Sequence, residues 1–377
     1  MPHPEPPQDE TDLGASAPLP AVHYAEQALL GALLLQPHRL ESVSTLTSEH
    51  FGDPAHSALF AAMHTVPPPV AEVHRMEPVW LNAVLATARR EAAALNASYL
   101  HMLVDACPWP QHAAAYARMI RAGHARRTLR MHAQRLAQAT TDTTGPDPAA
   151  ATLTETDTLT GFLDDLAGQF PPHPGSLPRT PLPPPLPRDR GEPVLSEERL
   201  LLAAATARPH EVTTMRWLQA DDFALPLHGA LFASLTTLAH RGDPVDPVTV
   251  LWEAQHRGLL ATGLTPADLM ALVSAPAGSP EYWGERVLRR ALLAHAHLAA
   301  LRIQAFTDDP ANSPHQLITG SRRALAELTA VRARWQRALA PPAPPPRPPS
   351  PRAPAAARAG PPHVAGLPVS SAQRVTR

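Results

Sequence analysis

The chain has 377 residues, enough for two or three domains that each bury a core. The formal net charge of −2 is too small to indicate any class of partner. An aromatic content of 5% beside abundant Ala and Leu favours α-helices over β-sandwiches. One cysteine, Cys107, excludes an internal disulfide framework and a multi-cysteine metal site.

The N-terminal segment, residues 1–20, is acidic and proline-rich and is predicted to be disordered. It lacks the apolar core of a signal peptide, and no run in the chain approaches the roughly 18 apolar residues of a membrane span. We therefore expect a cytoplasmic protein that does not contact membranes.

Residues 21–140 carry a helical pattern and are predicted to form a first helical domain. Glu26 lies in the predicted first turn, where the helix dipole favours an acid, and Asp53-Pro54 is suited to begin a later helix. The first helix presents four leucines on one face, Leu29, Leu30, Leu33 and Leu34. The next predicted helices are a short one around Val43–Leu46, one through Ala58–Met63, and longer ones near Trp80–Ala94, Tyr99–Ala106 and Ala113–Ala139.

Proline divides the rest of the chain. Residues 141–194 are predicted to hold an acidic helix and a linker, because 10 of the 23 residues at 171–193 are proline. Such a segment favours a semi-rigid polyproline spacer over a core element. A second helical domain is predicted at 195–335, followed by a disordered, basic tail at 336–377 with 9 prolines in the 14 residues from Pro341.

The two predicted helical domains are copies of each other. Residues 26–61 align with residues 198–233 without a gap, at an offset of 172, with 14 identities in 36 positions. Compositional bias in Ala and Leu does not explain the identities at Glu26/Glu198, Pro37/Pro209, Phe51/Phe223, Pro54/Pro226, His56/His228 and Phe60/Phe232. Each copy also ends in a similar amphipathic helix, with Phe162, Leu163 and Leu166 in one and Leu325 and Leu328 in the other. The chain therefore contains a tandem duplication.

The repeated residues resemble the N-terminal domain of the bacterial replicative DNA helicase, the DnaB family. The first copy reads A-E-Q-A-L-L-G-A-L-L at 25–34 and H-S-A-L-F at 56–60. The second copy has a changed opening but keeps H-G-A-L-F at 228–232 and G-D-P-V-D-P-V-T-V at 242–250. The resemblance implies an all-α fold of two small orthogonal helical-bundle domains, each often ending in a helical hairpin, joined by a proline-rich linker.

The sequence departs from that family where the helicases carry a RecA-like motor domain that hydrolyses ATP. The phosphate loop of such a motor, G-x-x-x-x-G-K-[ST], needs a lysine that reaches the β- and γ-phosphates. All 32 residues counted as Lys or Arg are arginine, so the 377 residues contain no such loop. We expect no enzyme activity and no cofactor. The resemblance implies instead the role of the N-terminal domain, which builds the collar of the helicase ring and contacts primase and loading factors.

Arginines on the predicted helix at 113–139 are candidate contacts to nucleic acid or to a protein partner. No acidic residue lies between Asp105 and Asp142, so the helix could present a positive stripe suited to phosphates or an acidic surface. The alternative is a solvated helix surface in an arginine-rich protein. The candidates are Arg118, Arg121, Arg126, Arg127, Arg130 and Arg135.

The proline-rich segments raise two further options. The chain after Glu327 has eight arginines and no acidic residue, so a basic tail could hold nucleic acid through counterion release, with an unconstrained chain end as the alternative. Pro183–Pro187 could dock in an aromatic-lined groove, with a spacer as the alternative.

Other candidate sites have plainer interpretations. Among the 20 histidines, His295 and His297 lie two apart and point away from each other on a helix, so we expect no metal site. His56 and His228 recur beside Leu-Phe and are interpreted as a structural cap or core edge. Cys107 precedes a proline without a nearby His–acid pair in sequence, so a catalytic thiol is not expected.

The main hypothesis from the sequence is a non-catalytic accessory of DNA replication, within the primosome, that binds the replicative helicase or primase. The arginines would assist at DNA. The alternative hypothesis is a DNA-binding protein of a plasmid or mobile element that uses the same fold. Self-association, and pairing of the two copies with each other, stay open at this stage.

Overall fold

Helices build the described part of the chain, which in this computed structural model is residues 19–340 apart from 143, 174, 185–189, 263 and 276–277. No strand occurs among these residues, in agreement with the predicted all-α class. The first copy contains α1 (Ala21–Leu35), α2 (Pro54–Thr65), α3 (Ala71–Met76), α4 (Val79–Ala88), α5 (Ala97–Asp105), α6 (Ala113–Thr141) and α7 (Pro148–Gln169). The second copy contains α8 (Glu192–Ala207), α9 (Pro209–Val212), α10 (Pro226–Arg241), α11 (Pro247–His256), α12 (Pro266–Val273), α13 (Pro280–Asp308) and α14 (Pro314–Leu339).

Local signals explain several helix ends. The Asp53 carboxylate caps α2 as predicted, since it accepts hydrogen bonds from the amides of Ala55 at 2.8 Å and His56 at 3.4 Å, with Pro54 in the first turn. The short helix predicted around Val43–Leu46 is wrong in position. A 3₁₀ turn instead spans Pro37–Val43, because proline suits the first position of a turn that directly follows α1.

Two further boundaries differ from the prediction. Helix α4 ends at Ala88, six residues before the predicted end at Ala94, because the chain turns at Arg89–Glu91. The last helix, α14, continues to Leu339 and so includes the first residues of the predicted tail. The rest of the predicted disordered ends, residues 1–18 and 341–377, lies outside the described residues.

The two copies pack equivalent residues in equivalent ways. In the first, Phe51 and Phe60 lie with ring centroids 4.8 Å apart; in the second, Phe223 and Phe232 lie 5.4 Å apart. All four rings are buried. The repeat therefore reflects two hydrophobic cores that pack equivalent aromatic residues in similar ways.

Close helix contacts are made at glycine. A Cβ atom built on Gly31 of α1 would lie 2.0 Å from the Leu103 carbonyl oxygen of α5. In the second copy, a Cβ atom on Gly229 of α10 would lie 2.2 Å from the Ala220 carbonyl oxygen. Each glycine therefore permits a backbone approach that no larger residue allows.

The two copies pair with each other through their long C-terminal helices. Helix α6 runs antiparallel to α13: the Thr140 hydroxyl lies 2.9 Å from Nδ1 of His297, and the Gln304 amide donates to the Ala133 carbonyl at 3.4 Å. Beside them, α7 and α14 are joined by ion pairs between Arg322 and Asp164, at 2.5 Å, and between Arg332 and Asp157.

One hydrophobic cluster runs through these four helices. It joins first-copy residues to the core of the second copy, and its members include Leu129, Leu136, Leu159, Leu163, Leu292, Ile303, Leu325 and Leu328. Pairing of the copies, which the sequence left open, is thus a property of the single chain. The described residues up to Ala338 form one compact unit.

Residues 171–173 and 175–184 of the predicted linker have no helix and lie against the second copy, whereas residues 192–194 already belong to α8. The Thr180 hydroxyl donates to Oδ2 of Asp309 at 2.6 Å, and the Asn312 side-chain amide donates to the Thr180 oxygen at 2.7 Å. The Leu177 carbonyl accepts from the Gln316 side chain at 3.0 Å. Along these residues the chain is fixed to the α13–α14 connection and does not stand away from it as a spacer.

Within the described part of the chain, we find no helix long and apolar enough to cross a lipid bilayer.

Candidate functional sites

Arg126 of α6 is engaged by the second copy. Its guanidinium donates to the carbonyl oxygens of Thr307 at 2.9 Å and Asp309 at 2.6 Å, and also to that of Asn312. These carbonyls lie where α13 ends, so they have no partner within the helix. Desolvation by burial lowers the pKa of Arg126, although Asp309 and Asp308 lie nearby. Arg126 therefore links the first copy to the second through these hydrogen bonds.

Three further arginines of α6 also contact other parts of the chain. Arg127 donates to the His50 carbonyl at 2.6 Å, and desolvation by burial lowers its pKa against the opposing effect of Glu26. Arg130 pairs with Asp308 at 2.5 Å, with both side chains half exposed. Arg121 donates to the Thr45 hydroxyl at 3.3 Å.

The remaining two candidates, Arg118 and Arg135, are exposed and form no ion pair with any described residue. Seventeen positions separate them, which corresponds to about 25 Å along a helix axis. The predicted positive stripe is therefore split. Four of its arginines serve contacts within the chain, and the two exposed arginines outside those contacts, Arg118 and Arg135, stand far apart.

A buried Glu–His pair is present in each copy. In the first, both oxygens of the Glu26 carboxylate are used: one accepts from the Gly52 amide at 2.7 Å and the other from Nδ1 of His56 at 2.8 Å. In the second, Glu198 accepts from the Ala224 amide at 2.5 Å and from Nδ1 of His228 at 2.7 Å. All four ionisable side chains are at most 3% exposed.

The helix-dipole interpretation of these glutamates is wrong. Helix α1 begins at Ala21 and α8 at Glu192, so Glu26 and Glu198 lie in the second turn, with their side chains buried. Each carboxylate holds the loop before the next long helix by accepting backbone and imidazole hydrogen bonds. The identical 30-residue Glu-to-His spacing in both copies was the sequence signal for this contact.

In the first copy, three further polar side chains lie beside the pair: His23, Asp53 and Tyr99. Nδ1 of His23 lies 3.9 Å from Oδ2 of Asp53, and the ring centroids of His23 and His56 are 4.9 Å apart. The Tyr99 hydroxyl lies 2.9 Å from Nε2 of His56, and desolvation together with Asp53 and Glu26 raises the pKa of Tyr99.

Exposed apolar side chains lie at similar places in the two copies. In the first they belong to the segment around α3, where Val70, Val73, Met76 and Val79 are all more than half exposed and Met76 reaches 83%. In the second they belong to α11, where Val248 and Trp252 are each 63% exposed. Both segments connect the second long helix of the copy to the next one. A protein partner could cover either of these exposed apolar segments.

Other residues considered from the sequence have structural contacts. Cys107 is buried, and desolvation raises the pKa of its thiol, which disfavours the nucleophilic thiolate at neutral pH. His297 contacts Thr140 across the two copies. The Pro183–Pro187 segment falls partly outside the described residues.

Comparison with known proteins gives one family. The family described as "DnaB-like helicase N terminal domain" matches residues 18–122 and 193–284, together just over half of the chain. The two matched segments end inside α6 and α13, so most of the four-helix pairing region lies beyond them. No curated protein and no solved structure matches the chain significantly.

Proposed function

The chain belongs to the DnaB-like helicase N-terminal domain family, and from this premise we propose that it is an accessory protein of DNA replication. It binds the replicative helicase, primase or both in the cytoplasm. It catalyses no reaction itself.

The observation that carries this proposal is the presence of two family domains held together in one compact unit, each with an exposed apolar segment. Two modules at a fixed separation raise the effective concentration of the second contact once the first has formed. A ring-shaped helicase, which offers the same surface several times, is suited to such a bivalent partner.

The residue content supports the proposal that the chain does not hydrolyse ATP. A phosphate loop follows a β-strand and supplies a lysine to the nucleotide. The described residues contain no strand, and the 377 residues contain no lysine.

Co-purification tests the partner. The full chain, tagged and expressed in its host, should retain helicase or primase, identified by mass spectrometry. Replacing Met76→Asp and Trp252→Asp together should reduce recovery at least tenfold, because a charge would be placed in each apolar segment. Met119→Asp, which changes a methionine 55% exposed on α6, is the matched control and should leave recovery unchanged. Recovery of neither protein, with the chain folded, would contradict the proposal.

A second candidate, the DNA-binding protein of a plasmid or mobile element, is favoured by the exposure of Arg118 and Arg135. Replacing both by Ala should weaken binding of duplex DNA at low salt and reduce its salt dependence. Arg126, Arg127 and Arg130 are unsuitable for this test, because their loss would also disturb the structure. Unchanged or undetectable DNA binding would exclude direct contact through these two side chains.

A further inference from the structure

The start of α1 and the start of α2 bring three possible metal ligands together. One ring nitrogen of His23, one of His56 and a carboxylate oxygen of Asp53 all lie within 4.8 Å of one another. Exposure falls from Asp53, whose side chain is 29% exposed, to His23, at 15%, and to His56, which is fully buried. We propose that His23, Asp53 and His56 bind one Zn²⁺ ion, with water as a fourth ligand.

The other contacts of Asp53 and His23 use Oδ1 and Nε2, so Oδ2 and Nδ1 can bind an ion, whereas Nε2 of His56 contacts the Tyr99 hydroxyl. Oδ1 of Asp53 caps α2, so Oδ2, the atom nearest His23, can bind an ion. Glu26 accepts from Nδ1 of His56, which fixes the ring and directs the lone pair of Nε2 away from the carboxylate. A carboxylate behind a histidine in this way orients the ring and increases its basicity towards a metal. The Tyr99 hydroxyl, now 2.9 Å from Nε2, would be displaced by the ion.

The ligand types fit zinc. Two imidazoles and one carboxylate, with an open position for water, match a four-coordinate zinc site, whereas magnesium and calcium prefer oxygen ligands alone. Zinc bonds of about 2.0–2.1 Å place tetrahedral ligand atoms roughly 3.3 Å apart. The atoms of His23 and Asp53 are 3.9 Å apart and the other pairs are at most 4.8 Å apart, so each pair must approach by about 0.6 to 1.5 Å. The two partly exposed side chains at helix starts can supply this movement.

The second copy shows that the fold does not need this group. It retains Glu198 and His228 at the same contact distance, yet the positions equivalent to His23 and Asp53 are Leu195 and Leu225. The Glu–His pair is thus common to both copies, while the two outer ligands belong to the first alone. An additional polar cluster beside a structural pair indicates an additional role, namely to hold α1 and α2 together through an ion.

The test uses the full chain, freed of metal by a chelator and titrated with Zn²⁺ against a chromophoric competitor. One ion per chain should bind, and Co²⁺ in its place should give the visible absorption of a tetrahedral site. His23→Leu, which copies the second repeat, and Asp53→Asn, which keeps the helix cap, should each weaken Zn²⁺ binding at least tenfold and abolish the Co²⁺ band. Thermal unfolding without metal shows whether both variants fold.

The matched control is His101→Leu, since His101 is an exposed histidine of the first copy outside the group. It should leave the affinity, the Co²⁺ spectrum and the zinc-induced rise in melting temperature unchanged. Binding that all three variants weaken equally would show adventitious capture by surface histidines and overturn the proposal. So would wild-type affinity in folded His23→Leu and Asp53→Asn proteins, or the lack of a stoichiometric ion in the wild type.

Discussion

Replacing Arg126 by Ala should destabilise the pairing of the two copies more than any other single change among the arginines of α6. The guanidinium of Arg126 binds carbonyl oxygens in the last turn of α13 and just after it, and these would lose their donor at a partly buried connection. The Asp309 and Thr307 carbonyls are the best placed, at 2.6 and 2.9 Å.

The size of the effect follows from the number and type of bonds. A hydrogen bond to a charged group contributes about 1.5–3 kcal/mol net when buried, and an exposed one contributes less because water replaces the donor. Since Arg126 is half-buried and some carbonyls would regain water, we expect the free energy of unfolding to fall by about 2–3 kcal/mol. Arg130→Ala is the matched control, because its ion pair with Asp308 is half exposed and such pairs contribute at most about 1 kcal/mol.

Urea unfolding of both variants measures the difference, and hydrogen exchange locates it. The amides of residues 309–313 should exchange faster in Arg126→Ala and at the wild-type rate in Arg130→Ala. Equal unfolding midpoints for the two variants would refute the conclusion that the hydrogen bonds of Arg126 stabilise the pairing of the two copies. The arginine would then be a solvated side chain, as one interpretation of the sequence had it.

Three further predictions concern other contacts. Glu198→Ala should lower the free energy of unfolding by about 3–5 kcal/mol, since it leaves the buried His228 imidazole and a backbone amide without their acceptor. Gly31→Ala should destabilise by about 1–3 kcal/mol, because the new Cβ would meet a backbone carbonyl oxygen. The pKa of Asp309 is lowered, chiefly because the Thr180 hydroxyl donates a hydrogen bond to its carboxylate. This contact therefore stabilises the fold at pH values above the pKa of the unfolded state. The stabilisation is lost as the pH falls through the lowered pKa of the folded state.

Each of these predictions has a control within the chain. Glu192 begins the same helix as Glu198 but is 73% exposed, so Glu192→Ala should change stability by less than about 0.5 kcal/mol. Gly161 has open space around its Cβ position, so Gly161→Ala should stabilise α7 by up to about 1 kcal/mol. For Asp309, the urea midpoints of wild type and Asp309→Asn, followed from neutral to acid pH, should converge in acid. If the wild-type and Asp309→Asn midpoints stay parallel down to acid pH, the Asp309 contact does not contribute as expected. Equal effects of Glu198→Ala and Glu192→Ala, or of Gly31→Ala and Gly161→Ala, would contradict the roles proposed for Glu198 and Gly31.

Sequence periodicity and capping rules predict well those features, such as helix starts, that residues close together in sequence determine. The start of α2 at Asp53-Pro54 depends on hydrogen bonds within three residues, and the structure confirms it. The duplication was visible because buried positions in both copies keep the same residue types, such as Phe60 and Phe232. Both the all-α class and the family follow from these local patterns.

Contacts between distant segments could not be derived in the same way. Arg126 meets carbonyl oxygens that begin 181 positions later, and nothing in the α6 pattern indicates them. Glu26 appeared suited to a helix dipole because the sequence did not show that α1 begins at Ala21, one turn earlier than that interpretation needs. His56 was interpreted as structural from the sequence. Its contact with Glu26, 30 residues earlier, could not be predicted, because only the fold brings the two side chains to 2.8 Å.

The shared core also predicts how the second copy will behave when it is produced alone. Residues 191–340 would expose the part of α13 that α6 covers, within a hydrophobic cluster that the two helices share. An exposed apolar face of that kind favours association, and α13 already pairs antiparallel with its counterpart in the first copy, a geometry that two identical helices can adopt about a two-fold axis. We therefore expect the isolated second copy to be a dimer in sedimentation equilibrium. Extending the fragment to begin at residue 113, which restores α6 and α7, should return it to a monomer. A stable monomer of residues 191–340 would show that the second copy does not need α6 and α7 to cover its apolar face. The two copies would then be independent modules.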